Sequence, residues 1–207
     1  MANHFDHKLY QAWETRWQTT NDKERLSHLG LLMFHAKKRV LRTVLPVLAP
    51  RSVIEVGCGL GHILELYQQA GLNCLGIDVS PSAVRICEKK GLRVELKNVE
   101  HETRSFDLVS SDGMLEHFLN FEPMAQHMMR LSGRYVLLIQ PNHGSFWGKT
   151  LPFLSELMKG DDNVLEYNYR IADFVDCFKQ GGFAITMNLP IFADVFRILV
   201  FKRTHPV

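Results

Sequence analysis

The segment Val53-Ile54-Glu55-Val56-Gly57-Cys58-Gly59-Leu60-Gly61 constrains this chain more than any other. Val53 to Val56 have the character of a short buried strand. Three alternating glycines then set a tight turn whose backbone must come close to something. Ile63, Leu66, Tyr67 and Ala70 follow at helical spacing, and Gly71 is placed to end that helix. A glycine turn between a strand and a helix leaves backbone N–H groups unpaired. A second apolar run ends in Asp78, an acid able to accept hydrogen bonds from a ribose diol. Together the two features describe a pocket for an adenosine-containing cofactor.

The spacing is G-x-G-x-G rather than the G-x-G-x-x-G of dinucleotide sites, and His62 stands where the third dinucleotide glycine would be. Glu55 precedes the first glycine. A carboxylate there suits a cationic amino group and would oppose a pyrophosphate, because like charges repel at short range. Glu55 to Gly61 resembles the first motif of the class I methyltransferases that use S-adenosylmethionine. Gly76-Ile77-Asp78-Val79-Ser80 resembles their second motif, and Phe106-Asp107-Leu108-Val109 their fourth. Met114-Leu115-Glu116-His117-Phe118 is similar to the Leu-Glu-His signature of the small-molecule branch that includes the ubiquinone-biosynthesis O-methyltransferases. The similarity covers residues 50–142 and a family-like tail. A glycine turn or a strand-end acid alone is common in βαβ units; four motifs in order are not.

Elsewhere strands and helices alternate. A helix is expected over 9–17, with Leu9, Trp13 and Trp17 on one face, and one or two helices over 26–48, ending near Pro46 and Pro50. Strands are expected at 52–56, 73–77, 92–96, 106–110 and 135–139, with helices at 61–70, after Ser80-Pro81 and near 121–131. Residues 171–180 predict a further helix, and 183–188 and 196–202 a closing hairpin. The expected class is α/β: a doubly wound, mostly parallel seven-stranded sheet with a terminal antiparallel hairpin, an N-terminal helical cap and a lid after strand five. One domain is expected over 1–207: a helical cap at 1–50, a cofactor-binding core at 51–140, a lid at 141–170, and a C-terminal helix and hairpin at 171–207. The aperiodic stretch 141–170 is long for a plain connection, which points to a functional lid.

Composition narrows the function classes. A net charge of +2 with 22% charged residues excludes a strong polyanion binder, so no nucleic-acid partner is expected. Lys37, Lys38, Arg39 and Arg42 form a basic run, read first as a solvated helix face and second as a contact for an anionic substrate or membrane surface. The four cysteines occur singly, without a C-x-x-C pair, which gives a cytoplasmic setting as the default. The N-terminus lacks a signal-peptide pattern, and no apolar run is long enough to span a membrane. A monomer or homodimer is expected.

The resemblance implies roles for particular residues. Gly57, Cys58, Gly59 and Gly61 would line the methionine part of S-adenosylmethionine, with Glu55 holding its ammonium group. Asp78 would take the ribose hydroxyls and Val79 the adenine face. Asn98, followed by Val99, stands where the family often has an acid near the adenine amino group. Ser110 and Ser111 would lie near the methionine arm, and Met114 near the reacting methyl. His117 and His143 are the candidate bases, although His117 also fits a buried helix-start histidine and His143 a solvent-facing loop residue. Glu116 fits a helix cap or a partner of His117; His62, His101 and His127 are read as structural or surface groups. Trp147 and Tyr167 in the lid, and Trp17 from the N-terminus, are candidate substrate walls. Asp161-Asp162-Asn163 reads as a turn and helix cap, so no metal site is expected.

The implied function is methyl transfer from S-adenosylmethionine to a small molecule, first at oxygen. The alternatives are a non-catalytic S-adenosylmethionine-binding partner subunit, or a protein or RNA methyltransferase. No Asn/Asp-Pro-Pro-Tyr segment follows strand four, which disfavours the amino-methylating nucleic-acid and protein-glutamine groups.

Overall fold

The computed structural model describes residues 4–19, 28–146 and 166–205. Its strands are β1 (Ser52–Val56), β2 (Asn73–Asp78), β3 (Val94–Leu96), β4 (Phe106–Asp112), β5 (Ser132–Pro141), β6 (Phe183–Ile191) and β7 (Phe196–Arg203). Its helices are α1 (His4–Thr19), α2 (His28–Leu48), α3 (His62–Gln69), α4 (Pro81–Lys89), α5 (Glu122–Leu131) and α6 (Ile171–Gln180). Among the described residues the strands form one seven-stranded sheet, in the order β3-β2-β1-β4-β5-β7-β6. β7 runs antiparallel to β5 and β6, and the other pairs are parallel. This is the doubly wound α/β sheet with a terminal antiparallel hairpin that the sequence pattern predicts.

Alternation along each central strand builds the two layers, because successive side chains point to opposite faces. Val53, Leu108, Leu137 and Ile198 pack with Leu41, Val44 and Leu45 of α2 and with Leu64 and Tyr67 of α3. Their neighbours Ile54, Val109, Leu138 and Leu199 pack on the other face with Met124 and Met128 of α5 and Phe174 and Phe178 of α6. Every strand in the middle is therefore apolar at consecutive positions, as a sheet covered on both sides requires.

α2 runs through Pro46 and ends at Leu48, the limit expected for a helix over 26–48. Pro46 is on the exposed side of the helix, as is Arg42 one turn earlier, so the carbonyl that loses its partner there faces water. α1 extends beyond 9–17 at both ends.

α1 is held to the sheet layer by one acid. The Glu14 carboxylate accepts hydrogen bonds from the Ser80 hydroxyl (2.5 Å), the Ser82 hydroxyl (2.7 Å) and the Ser82 backbone N–H (3.1 Å) at the start of α4. Ser80 is also the N-cap of α4, its Oγ accepting from the Ala83 N–H at 3.1 Å. A helix N-terminus is a favourable place for an anion. Burial works against the Glu14 charge, but the bonds from Ser80 and Ser82 outweigh it and hold the carboxyl at about 2.

Glu14→Ala should therefore loosen α1 by about 1–2 kcal/mol, the usual cost of losing a helix-start carboxylate contact. Amide hydrogen exchange should speed up in α1 and stay unchanged in β1 and β4. In the unaltered protein the attachment is complete above the ordinary carboxylate range, and it weakens only as pH falls toward 2.

Candidate functional site

β1 pairs with β2 on one side and with β4 on the other. The chain moves outward from β1 to β2 and β3, then returns to β4. Ligand crevices open at the carboxyl ends of strands where the order reverses in this way. The glycine turn after β1 lies at that place. The N–H groups of Gly57 and Cys58 donate to the carbonyl of Ile77 in β2, at 2.9 and 3.2 Å. The Gly59 N–H donates to Asp78 Oδ2 at 2.8 Å, and the Ser80 N–H donates to Asp78 Oδ1 at 2.9 Å. Gly57 and Gly59 turn in the left-handed region, at φ 69° and 49°. A side chain on either would also intrude: a Cβ on Gly57 would meet the Met114 sulfur at 3.0 Å, and one on Gly59 would meet the Trp17 ring at 3.3 Å.

Above this turn is a cavity of ≈ 290 Å³. Glu55, Gly57, Cys58 and Gly59 line it from the end of β1 and the turn; Asp78, Val79, Asn98 and Val99 line it from the ends of β2 and β3. Met114 and His117 reach it from the segment after β4. α1 covers it with Leu9, Tyr10, Trp13, Arg16 and Trp17. Trp13 and Trp17 stack at 5.3 Å, the Arg16 guanidinium lies over both rings, and Trp13 meets the His117 ring edge-on at 4.9 Å. The Asn98 amide donates to the Tyr10 hydroxyl at 3.3 Å, a second tie between α1 and the sheet.

The cavity is rich in carboxyl groups. Glu55 is 2% exposed, and its Oε2 has no hydrogen-bond partner. Burial, then the charges of Asp112, Cys87 and Asp78, push its carboxyl well above the usual range. Burial also raises Asp78, with the N–H groups of Ser80 and Gly59 pulling the other way. Asp112, on the cavity wall, is held by Lys37 of α2 at 2.7 and 2.9 Å, and the Lys37 ammonium lies 4.4 Å from the Phe196 ring centre. An uncompensated buried carboxyl is costly unless neutral or paired. The donor set here fits a ligand with a cationic group at Glu55 and hydroxyl groups at Asp78, which has lone pairs to spare beyond its two backbone bonds.

Other candidate residues stand apart from this cavity. Gly61 begins α3, where a Cβ would strike Leu92 and come within 2.8 Å of the Cys87 sulfur. The hydroxyls of Ser110 and Ser111 donate to the carbonyls of Ile54 (3.3 Å) and Val56 (2.9 Å), stitching β4 to β1. The Tyr167 N–H donates to the Glu116 carbonyl at 2.8 Å. Trp147 lies outside the described residues. At the carboxyl ends of β4 and β5, buried polar atoms of Glu116, Gln140 and His143 lack partners among the described residues. Burial lowers the His143 imidazole, with Glu166 opposing, and raises the Glu116 carboxyl to about 8. His62, read from sequence as structural or surface, lines the cavity and packs on Phe34 at 5.4 Å. Tyr10 and Arg16 carry no motif; the i, i+3, i+7 spacing of Tyr10, Trp13 and Trp17 is the one signal that marks their face of α1.

A sequence family described as a methyltransferase domain matches residues 29–188. A ubiquinone biosynthesis O-methyltransferase from Ralstonia nicotianae is 36% identical over 80 residues, 34% of this chain and 34% of that protein. Ajmaline N-methyltransferase from Rauvolfia serpentina is 28% identical over 115 residues, 47% of this chain and 38% of that protein. The chain thus spans little more than a third of the length of the curated relatives it matches. Magnesium protoporphyrin IX methyltransferase from Synechocystis PCC 6803, solved with bound S-adenosylhomocysteine, superposes with a TM-score of 0.70 at 19% identity, covering 97% of this chain and 96% of that one. The N-methyltransferase NodS from Bradyrhizobium japonicum, also with S-adenosylhomocysteine, gives 0.67 at 16% identity, covering 95% and 99%. Both likenesses establish a shared fold.

The raised Glu116 carboxyl has a measurable sign. Between the ordinary glutamate value and about pH 8 the unfolded chain loses this proton and the folded chain keeps it. Stability should therefore fall as pH rises through that window. Glu116→Gln should lessen the fall in denaturant titrations, and the protonated-carboxyl infrared absorption near pH 7 should lose the component that this residue contributes.

Proposed function

The chain belongs to the methyltransferase-domain family, and on that premise we propose that it binds S-adenosylmethionine beneath α1 and methylates a small molecule at oxygen. The observation that carries this reading is the buried carboxyl of Glu55 beside the glycine turn, whose Oε2 lacks a hydrogen-bond partner. A cationic ammonium group completes it, and a pyrophosphate would be repelled by it.

S-adenosylmethionine supplies, when bound, a methyl group already activated on a sulfonium centre. The chain's own part is to hold, orient and dry the site. Glu55 holds the ammonium end, and Asp78 accepts from the ribose hydroxyls while keeping the turn closed through Gly59. Val79 and Val99 give apolar walls for the adenine, and the Asn98 amide offers a polar contact to its edge. Trp13 and Trp17 exclude water from above. Alignment of an acceptor behind a transferable group is worth about 7–11 kcal/mol in the best cases. A base adds about 10²–10⁴-fold for a hydroxyl acceptor. His117, on the cavity wall, is placed to take that proton. His143 is the alternative, its imidazole kept neutral by burial.

The cover formed by α1 favours a small acceptor over a protein or RNA segment. The Asp112 carboxyl on the cavity wall favours a second reading in which the acceptor is an amine. The N-methylating relative from Rauvolfia serpentina supports the same reading. Against a non-catalytic partner subunit stand the two histidines at the strand ends.

Calorimetry tests the donor site. S-adenosylhomocysteine should bind with release of a proton near neutral pH, seen as an enthalpy that depends on buffer ionisation, because its ammonium group draws the raised Glu55 carboxyl into its charged form. Glu55→Gln should abolish the proton release and weaken binding about tenfold or more, the scale of one lost charged hydrogen bond. Unchanged affinity in Glu55→Gln would refute the assignment.

Labelled-methyl transfer to matched phenols, alcohols, carboxylates and amines tests the acceptor. Transfer to hydroxyls should fall about 10²–10⁴-fold in either His117→Ala or His143→Ala, whichever is the base, and the deficit should shrink at high pH. Transfer to amines alone would overturn the oxygen assignment and leave the donor assignment intact.

A further inference from the structure

Two buried side chains at the tips of β4 and β5 keep open hydrogen-bonding atoms. Gln140 is the penultimate residue of β5 and is 0% exposed, yet neither its amide oxygen nor its amide nitrogen has a partner among the described residues. Glu116, just after β4, is 4% exposed, and its Oε2 also lacks a partner there. Buried polar groups are nearly always hydrogen-bonded, because one left unpaired loses its hydration without return. The hydroxyls of Ser110 and Ser111, earlier on β4, obey that rule by finding carbonyls of β1. Gln140 does not, and nothing in the methyl transfer described above uses it.

The backbone sets both side chains beside one residue of the cavity wall. Leu138 packs in the layer of α5 and α6 and Ile139 in the layer of α2 and α3, so Gln140 turns to the side of α5 and α6. The chain leaving β4 still runs along β5 at this point: Asp112 is paired with Ile139, and the Gly113 N–H donates to the Ile139 carbonyl at 3.0 Å. Gly113 lines the cavity beneath α1. A Cβ on Gly113 would lie 3.3 Å from Glu116 Oε1. The Glu116 backbone is fixed in turn by the Tyr167 N–H, which donates to its carbonyl at 2.8 Å. Gln140 and the carboxyl of Glu116 thus both adjoin Gly113, a residue without a side chain at the border of the cavity.

We propose that Gln140, with Glu116 beside the same glycine, is the specificity-determining residue for the methyl acceptor, and that it selects neutral molecules carrying an amide edge, a carboxamide or a lactam. The proposal rests on the cavity being the S-adenosylmethionine site. A glutamine amide presents an acceptor oxygen and a donor nitrogen in one plane. A group that meets both ends at once carries a donor and an acceptor side by side, as an amide edge does. An ammonium group gives Gln140 Nε2 nothing to donate to, and a lone hydroxyl reaches only one end. A carboxylate brings no hydrogen for Gln140 Oε1 and meets acidic neighbours in Asp112 and Glu116. Glu116, its carboxyl pushed up to about 8 by burial, keeps its proton at neutral pH and adds a donor for the carbonyl of the same edge. The edge that is held and the atom that is methylated are different parts of one acceptor.

The test uses the whole chain and a matched set of probes: benzamide, benzoate, benzylamine and benzyl alcohol. Their dissociation constants are read by ligand-observed NMR, with and without S-adenosylhomocysteine. Benzamide should bind about tenfold more tightly than the others, the scale of two neutral hydrogen bonds. Gln140→Leu should erase that preference and leave the affinity for S-adenosylhomocysteine unchanged. Without ligand it should melt no lower than the unaltered chain, since an apolar side chain of similar size replaces an amide that bonds to nothing. An amide serving only the fold would make Gln140→Leu less stable or unable to fold, and that result overturns the proposal. So does tighter binding of another probe, an absence of preference, or a benzamide preference that survives in Gln140→Leu. Failure of S-adenosylhomocysteine to bind is a separate result. It refutes the donor assignment, and the probe affinities of the ligand-free chain still decide the role of Gln140.

Discussion

The carboxylate of Asp78 makes the bond on which the rest of the site depends. It joins the tip of β2 to the backbone of the turn that leaves β1, through the Gly59 N–H. The turn has no side chain at Gly57 or Gly59 with which to hold itself, and both residues sit in the left-handed region. Without an external acceptor it would pay the conformational entropy of glycine with little in return. With Asp78 in place the turn, the end of β2 and the start of α4 become one rigid edge, because the same carboxylate also accepts from the Ser80 N–H. The cavity, the approach of Met114 and the seat of α1 on Ser80 and Ser82 are all built against that edge.

Charge is the second organising constraint. Glu55, Asp78, Asp112 and Glu116 cluster at the carboxyl ends of β1, β2 and β4 and just beyond, and Lys37 neutralises only Asp112 by direct contact. Burial answers the remainder by favouring protonated carboxyls at Glu55, Asp78 and Glu116. By charge alone such a cluster opposes anions and favours cations.

The fold was largely legible in the chain because it follows from periodicity. α6 matches its expected limits at both ends, and β1 does the same, since Gly181 and the glycine turn are unambiguous stops. The Ser80 cap and Pro81 start of α4 were equally plain. Pro46 does not stop α2, which ends at the expected residue 48, because an exposed proline near a helix end costs less than one in the interior. At the site, residues fixed by backbone chemistry were readable: the glycines, Glu55 and Asp78. Those whose position depends on distant packing were not. Lys37 meets Asp112 across 75 positions, and Tyr10 meets Asn98 across 88. Ser110 and Ser111 show the limit from the other side, for pattern places them at a strand end but does not say that their hydroxyls find the carbonyls of β1.

The attachment of α1 has a kinetic corollary. The lower boundary of the cavity belongs to the central strands, the part of an α/β protein that opens only with global unfolding. Its upper boundary belongs to a helix tied on chiefly through Glu14 and the Asn98–Tyr10 contact. A helix so attached can detach while the sheet stays intact, so the local stability of the cover and the global stability of the sheet are set by separate parts of the molecule.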